Sequence, residues 1–253
     1  MLETYIRERL KTKDILLMTH IVLGYPSFEA SRDIVAAMVA AGVDLMELQI
    51  PFSEPMADGP VILKANQEAL AGGVTVTECI DFAGQAAEAH DIPFLFMTYC
   101  NILYKYGYEG FAETMAKRGL RGTIVPDLPP EEGEDYLGAM KRNALSPIFI
   151  YAPTTPDERM AEINRHAEGF VYCVARKGVT GKDTQFSDDL SAYLKRCRKA
   201  TTLPLALGFG VKDKADVDFL KGKVDIAVIG TQTIRLVNEK GVGAVEDFIR
   251  NLR

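Results

Sequence analysis

Residues 15–50 read ILLMTHIVLGYPSFEASRDIVAAMVAAGVDLMELQI. The run Ile15–Leu23 is too short for a stable helix and is apolar on both faces, as a strand covered on both sides must be. Behind Ser27 comes Phe28–Ala41, a stretch of helix length that ends at Gly42, with cap residues at both ends. A second apolar run, Leu45–Ile50, completes the unit. Strand, helix, strand in that order is a parallel β-α-β crossover.

The alternation continues to the far end of the chain. Further apolar runs are Pro93–Thr98, Gly122–Val125, Pro147–Tyr151, Phe170–Val174, Leu203–Leu207 and Ile226–Ile229, with helix-length stretches such as Val76–His90, Tyr108–Arg118, Pro130–Asn143 and Asp188–Ala200 between them. About eight such units without a break predict closure, so the expected fold is α/β, a single (β/α)8 TIM barrel. The segment Leu2–Leu10 predicts an extra N-terminal helix that covers the barrel floor. No Gly/Ser-rich linker or shift in composition divides the 253 residues, so residues 1–253 are expected to form one catalytic domain.

With 47% hydrophobic and 25% charged residues the chain is neither disordered nor fibrous. Its net charge of −6 provides no global basic field for nucleic acid or an anionic membrane, so an anionic substrate has to be captured locally. Cys79, Cys100, Cys173 and Cys197 show no CxxC spacing and only three histidines accompany them; they read as small buried residues of a reducing compartment, with no metal site expected. The opening MLETYIRERLKTKD is charged and unlike a signal peptide, and no apolar run approaches the ~18 residues of a membrane span. A soluble, cytoplasmic chain is the expectation.

Barrel active sites lie where strands run into the following loops. The polar residues there are His20 and Tyr25, Glu47, Tyr99 and Asn101, Asp127, Tyr172 and Arg176, Gly208 to Gly210, and Gly230 with Thr231. Glu47 interrupts an apolar strand; a carboxylate facing the barrel interior is partly desolvated, which suits it to proton transfer. Eleven residues on, Asp58 ends the Pro- and Gly-rich stretch PFSEPMAD, a structured loop that can curl back over the strand end. On pattern alone, Glu47 reads equally as a salt-bridged core residue and Asp58 as a loop or cap residue. The glycines of Leu207-Gly-Phe-Gly-Val211 and Ile229-Gly-Thr231 follow the last two strands, where barrels often bind phosphate through close backbone amides. A third glycine loop, Arg176-Lys-Gly-Val-Thr-Gly181, follows the sixth strand and reads as a lid.

The stretch Leu48-Gln-Ile-Pro-Phe-Ser-Glu-Pro-Met-Ala-Asp-Gly-Pro60 closely resembles the signature of the tryptophan synthase alpha subunit family. The resemblance extends through Leu23-Gly-Tyr-Pro26, Ala65-Asn66, Gly73-Val-Thr75, Tyr99-Cys-Asn101, Asp127-Leu-Pro129, Pro147-Ile-Phe149, Gly178–Gly181, Gly208–Gly210 and Gly230-Thr231, nearly the whole chain in order. It implies a lyase of tryptophan biosynthesis that cleaves indole-3-glycerol phosphate to indole and glyceraldehyde 3-phosphate by a retro-aldol step. The indole then passes to a beta subunit that carries pyridoxal phosphate (PLP), in an alpha2beta2 heterotetramer; no cofactor is implied for this chain. By position, the resemblance implies that Glu47 and Asp58 are catalytic and that Tyr172 lines the site. Gly181, Gly210, Gly230 and Thr231 match the phosphate-binding positions, and Arg176 and Thr180 belong to the lid.

The sequence departs from the family pattern at Gln49, where Gly is usual, at Glu54, where Asp is usual, at Leu63, where Gln is usual, and at Arg176-Lys177, where Arg-Ser is usual. Three other readings stand beside this one: a lyase that acts alone and releases free indole, a barrel that mainly activates its partner, and another phosphate-binding barrel such as a prenyltransferase. Trp is absent, so indole released by such an enzyme fluoresces against a protein with none of its own.

Overall fold

Eight strands, Leu16–Val22 (β1), Leu45–Gln49 (β2), Phe94–Met97 (β3), Gly122–Ile124 (β4), Ser146–Tyr151 (β5), Val171–Val174 (β6), Leu205–Gly208 (β7) and Ile226–Ile229 (β8), pair in parallel in chain order. β8 returns to β1, with Leu16 opposite Ile226 and Thr19 opposite Ile229, and the barrel is closed. The computed structural model describes residues 1–175, 188–208 and 210–253. The expected (β/α)8 TIM barrel with an N-terminal helix is therefore present.

Closure explains the strand composition. Alternate residues of each strand point inward and outward. Inward, Leu16, Met18, Leu45, Leu95, Ile124, Ile148, Ala206, Ile226 and Val228 fill the barrel. Outward, Leu17, Ile21, Met46, Leu48, Phe94 and Phe96 pack against the helices. Both faces are buried, so no polar alternation marks these strands. The run that starts at Leu203 becomes strand only at Leu205, because Pro204 has no N–H to give a ladder, although its carbonyl accepts from Val171.

Local chemistry sets the helix ends. Ser27 accepts from the Ala30 amide at the start of Phe28–Ala40, and Thr75 with Glu78 forms a reciprocal capping box at Val76–Ala89. The stretch expected as one helix over 130–143 is split. A 3-10 turn, Pro130–Glu132, is followed at Gly133 by the helix Glu134–Arg142. Gly133 has non-helical torsions (φ −105°, ψ 20°), and the turn before it already uses the Pro130 carbonyl.

The N-terminal helix Leu2–Leu10 inserts Leu2 and Ile6 into the interior cluster from below. Burial of each contributes about 2 kcal/mol. Asp44, fully buried at the foot of β2, fastens that end: its carboxylate pairs with Arg9, Lys13 and Arg253 and accepts from the Leu17 amide. One side chain thus ties the N-terminal helix, β1, β2 and the C-terminus. Replacing it leaves three partly exposed cations and a strand amide without their acceptor. Asp44→Ala is expected to destabilise the fold by about 2 kcal/mol, read as a lower urea midpoint with an unchanged slope. An unmoved midpoint would remove Asp44 from this role. Among the described residues no helix is long and apolar enough to cross a membrane.

Candidate active site

The interior face of the barrel turns polar at its C-terminal rim. β1 presents His20, β2 presents Glu47 and Gln49, the residue two past β3 is Tyr99, and β6 presents Tyr172. The β1–β2 register places His20 opposite Glu47 and Val22 opposite Gln49.

Glu47 is 3% exposed. A hydrogen bond of 3.0 Å joins its Oε1 to His20 Nδ1, and the Tyr172 hydroxyl donates to the same oxygen at 3.5 Å. Oε2 is buried and has no hydrogen-bond partner among the described residues; the same is true of His20 Nε2 and Gln49 Oε1. Three unsatisfied polar atoms at one strand-end rim are what a polar ligand has to answer. Burial opposes charging of His20, but its hydrogen bond to Glu47 and the charges of Glu47 and Asp58 outweigh this and hold the imidazole above its ordinary value.

Asp58 reaches the site because the loop 51–59 is tied down at several points. The side-chain Oδ1 of Asn66, on the helix Pro60–Ala71, accepts from the Phe52 amide at 2.9 Å. The Phe52 ring stacks on Tyr99 at 5.0 Å between centroids, and the Tyr99 hydroxyl accepts from the Ala57 amide at 3.2 Å. The Asp58 carboxylate then accepts from Gln49 Nε2 at 2.6 Å and from the Tyr99 hydroxyl at 3.1 Å, both on Oδ2. Burial raises Asp58 above its ordinary value, although the His20 charge and the bonds from Gln49 and Tyr99 work against it. Burial and the neighbouring carboxylates keep the phenols of Tyr99 and Tyr172 protonated, which makes both of them donors.

The glycines stand at adjacent strand ends. Gly210, two residues past β7, has φ +104°, a conformation that favours glycine. Gly230 follows β8 and precedes the helix Thr231–Lys240, whose first amides have no acceptor within the helix. Gly208 serves a different purpose: a Cβ there would lie 2.3 Å from Tyr172 Cε1, so only glycine lets that ring lie across β7. Gly181, Arg176 and Thr180 lie outside the described residues.

The structure thus brings Glu47, Asp58 and Tyr172 to the mouth that Gly210, Gly230 and Thr231 also border. Other strand-end residues have structural duties. Asp127 accepts from the Cys100 amide at 2.8 Å and caps the helix Cys100–Tyr106, on which Asn101 is exposed; the Tyr25 hydroxyl donates to Asn238 at 2.9 Å. Two site residues had been left without a role by the sequence. His20 appeared only as a polar strand-end residue and Gln49 only as a departure from a pattern, yet each holds one carboxylate. Spacing of two along β2 was the available signal for Gln49, since it puts Gln49 on the face of Glu47.

The family model described as tryptophan synthase alpha chain matches residues 7–252. The tryptophan synthase alpha chain of Syntrophotalea carbinolica is 68% identical over 253 residues, covering 100% of both chains. That of Desulforapulum autotrophicum is 64% identical over 252 residues, again covering 100% of both. Among solved structures, Mycobacterium tuberculosis tryptophan synthase superposes with a TM-score of 0.93 at 29% identity, covering 99% of this chain and 96% of the other. The alpha subunit from Legionella pneumophila gives 0.90 at 29% identity, with 99% and 96% covered.

Proposed function

The chain belongs to the tryptophan synthase alpha chain family, the lyase of tryptophan biosynthesis, and we propose that Glu47 and Asp58 carry its cleavage of indole-3-glycerol phosphate. Residues 1–253 act as one catalytic domain in the cytoplasm. Breaking the bond between indole C3 and the glycerol chain requires a proton on C3, so that the ring can leave, and loss of the proton from the hydroxyl on the adjacent carbon. One carboxyl group that gives the first proton and takes the second serves both ends. Glu47 fits, because Oε1 is already engaged while the buried Oε2 is open.

Asp58 accepts from the indole N–H and stabilises the positive charge that develops on the ring when C3 is protonated. Gln49 and Tyr99 fix it in place by Oδ2. The phosphate lies against the amides and hydroxyl of Gly210, Gly230 and Thr231, with Gly181 and the closing segment of Arg176 and Thr180 assigned on the resemblance alone. The C–C bond breaks as C3 gains a proton and the hydroxyl loses one, and the carboxylates supply that proton traffic and the charge stabilisation without a cofactor. The PLP belongs to a beta subunit, the partner that consumes the indole in an alpha2beta2 assembly.

The observation that carries this reading is the pair of carboxylates, each held by one oxygen at a mouth that ends in glycines at β7 and β8. The test is fluorimetric indole release from indole-3-glycerol phosphate by the purified chain, with a beta subunit titrated in. Expected are a basal rate from the chain alone and a rise to a plateau at one beta per alpha. No indole under either condition would sink the reading; a basal rate that beta does not change would leave a lyase that works alone.

A further inference from the structure

His20 is 4% exposed and lies between the two halves of the site. One ring nitrogen meets Glu47, while the ring packs on Gly230: a Cβ on that glycine would stand 3.7 Å from His20 Cγ and 3.8 Å from Cδ2. We propose that His20 is a positioning residue of the cleavage, which holds the Glu47 carboxylate through Nδ1 so that Oε2 faces the substrate. The inference rests on the proposed reaction and assigns it a residue beyond the two carboxylates.

A glutamate side chain has three free torsions, so an unheld carboxylate spends little time in one orientation. Glu47 Oε1 has two partners, and they are unequal: His20 Nδ1 at 3.0 Å and the Tyr172 hydroxyl at 3.5 Å, the outer limit of a hydrogen bond. His20 is the closer of the two. The groups that face it are Glu47 and Gln49 from β2, Asp58 from the following loop and Tyr172 beyond Glu47; the Gly230 side offers backbone only. Burial works against charging of the imidazole, but the bond to Glu47 and the charges of Glu47 and Asp58 outweigh it and hold His20 above its ordinary value, which strengthens the contact with Glu47. A histidine that only filled space beside Gly230 would need no such alignment.

Three substitutions separate these roles. Asparagine puts an amide nitrogen where Nδ1 stands, glutamine puts one only at the position of Nε2, and phenylalanine keeps the ring with neither. His20→Phe and His20→Gln are expected to lower kcat by about ten- to a hundredfold. KM for indole-3-glycerol phosphate is expected to stay within about threefold, because binding to the glycine loops is untouched. His20→Asn should recover most of the lost kcat, with melting temperatures recorded alongside. Wild-type kcat in the Phe variant, or an Asn variant as slow as Gln, overturns the inference. If the Phe variant does not fold, the Asn and Gln pair decides: fast Asn with slow Gln supports it, and equal rates overturn it. A wild-type chain that releases no indole overturns the proposed reaction itself, and this inference with it.

Discussion

Glu47→Gln lowers indole release by about three orders of magnitude, the range of a lost general acid–base group, while phosphate affinity stays within about twofold because the glycine loops are untouched. The substitution is nearly isosteric. Its amide oxygen can still accept from His20 Nδ1, so the 3.0 Å contact that locks the side chain is retained and the fold is undisturbed. The amide can neither give a proton to indole C3 nor take one from the hydroxyl. Both halves of the proton traffic therefore stop together; Asp58, held through Oδ2 by Gln49 and Tyr99, answers the indole N–H instead. Indole fluorescence measures the rate, and calorimetry with inorganic phosphate measures the affinity. Turnover close to wild type in Glu47→Gln would end the assignment, whereas a parallel loss of phosphate affinity would point to a collapsed site.

The fold was legible because parallel strands buried on both faces leave short apolar runs, and eight of them alternating with capped helices admit few arrangements. Glu47 was legible for the same reason, as a charge inside one of those runs. The partners of the carboxylates were not. Alternation fixes which residues of one strand share a face, but the register between strands is set by how the barrel closes. That His20 falls opposite Glu47 follows from the pairing of β1 with β2 and from no local pattern. Asp58 depends on a loop whose path is fixed by Asn66, Phe52 and Tyr99, residues 6 to 41 positions from it in the chain. Asp127 illustrates the converse. It stands at a strand end like a catalytic residue, and only the bond from the Cys100 amide shows that it caps a helix. Gln49 stood out by departing from a pattern, and its Nε2 on Asp58 gives that departure a physical purpose.

Asp58→Asn is the second large effect, a loss of about a hundredfold or more in kcat, as expected when an acceptor aimed at developing charge is removed. The size follows from which atom the amide must present. Gln49 Nε2 at 2.6 Å and the Tyr99 hydroxyl at 3.1 Å both donate to Oδ2, so an asparagine turns its one oxygen toward them and its NH2 toward the substrate. The indole N–H then meets a donor, and the charge developing on the ring loses its counter-charge. The pH dependence provides the sign. The carboxylate form is the working one, and burial raises Asp58 above its ordinary value. Activity is therefore complete above that raised value and is lost as pH falls through it, at a higher pH than the ~3.9 of a free aspartate. In Asp58→Asn this acid limb is absent from the residual activity, since no proton can bind at that position. The measurement is kcat/KM for indole-3-glycerol phosphate from about pH 4 to 8 in both proteins. An Asn variant that kept the wild-type acid limb would assign that ionisation to another group and remove Asp58 from the charge-stabilising role.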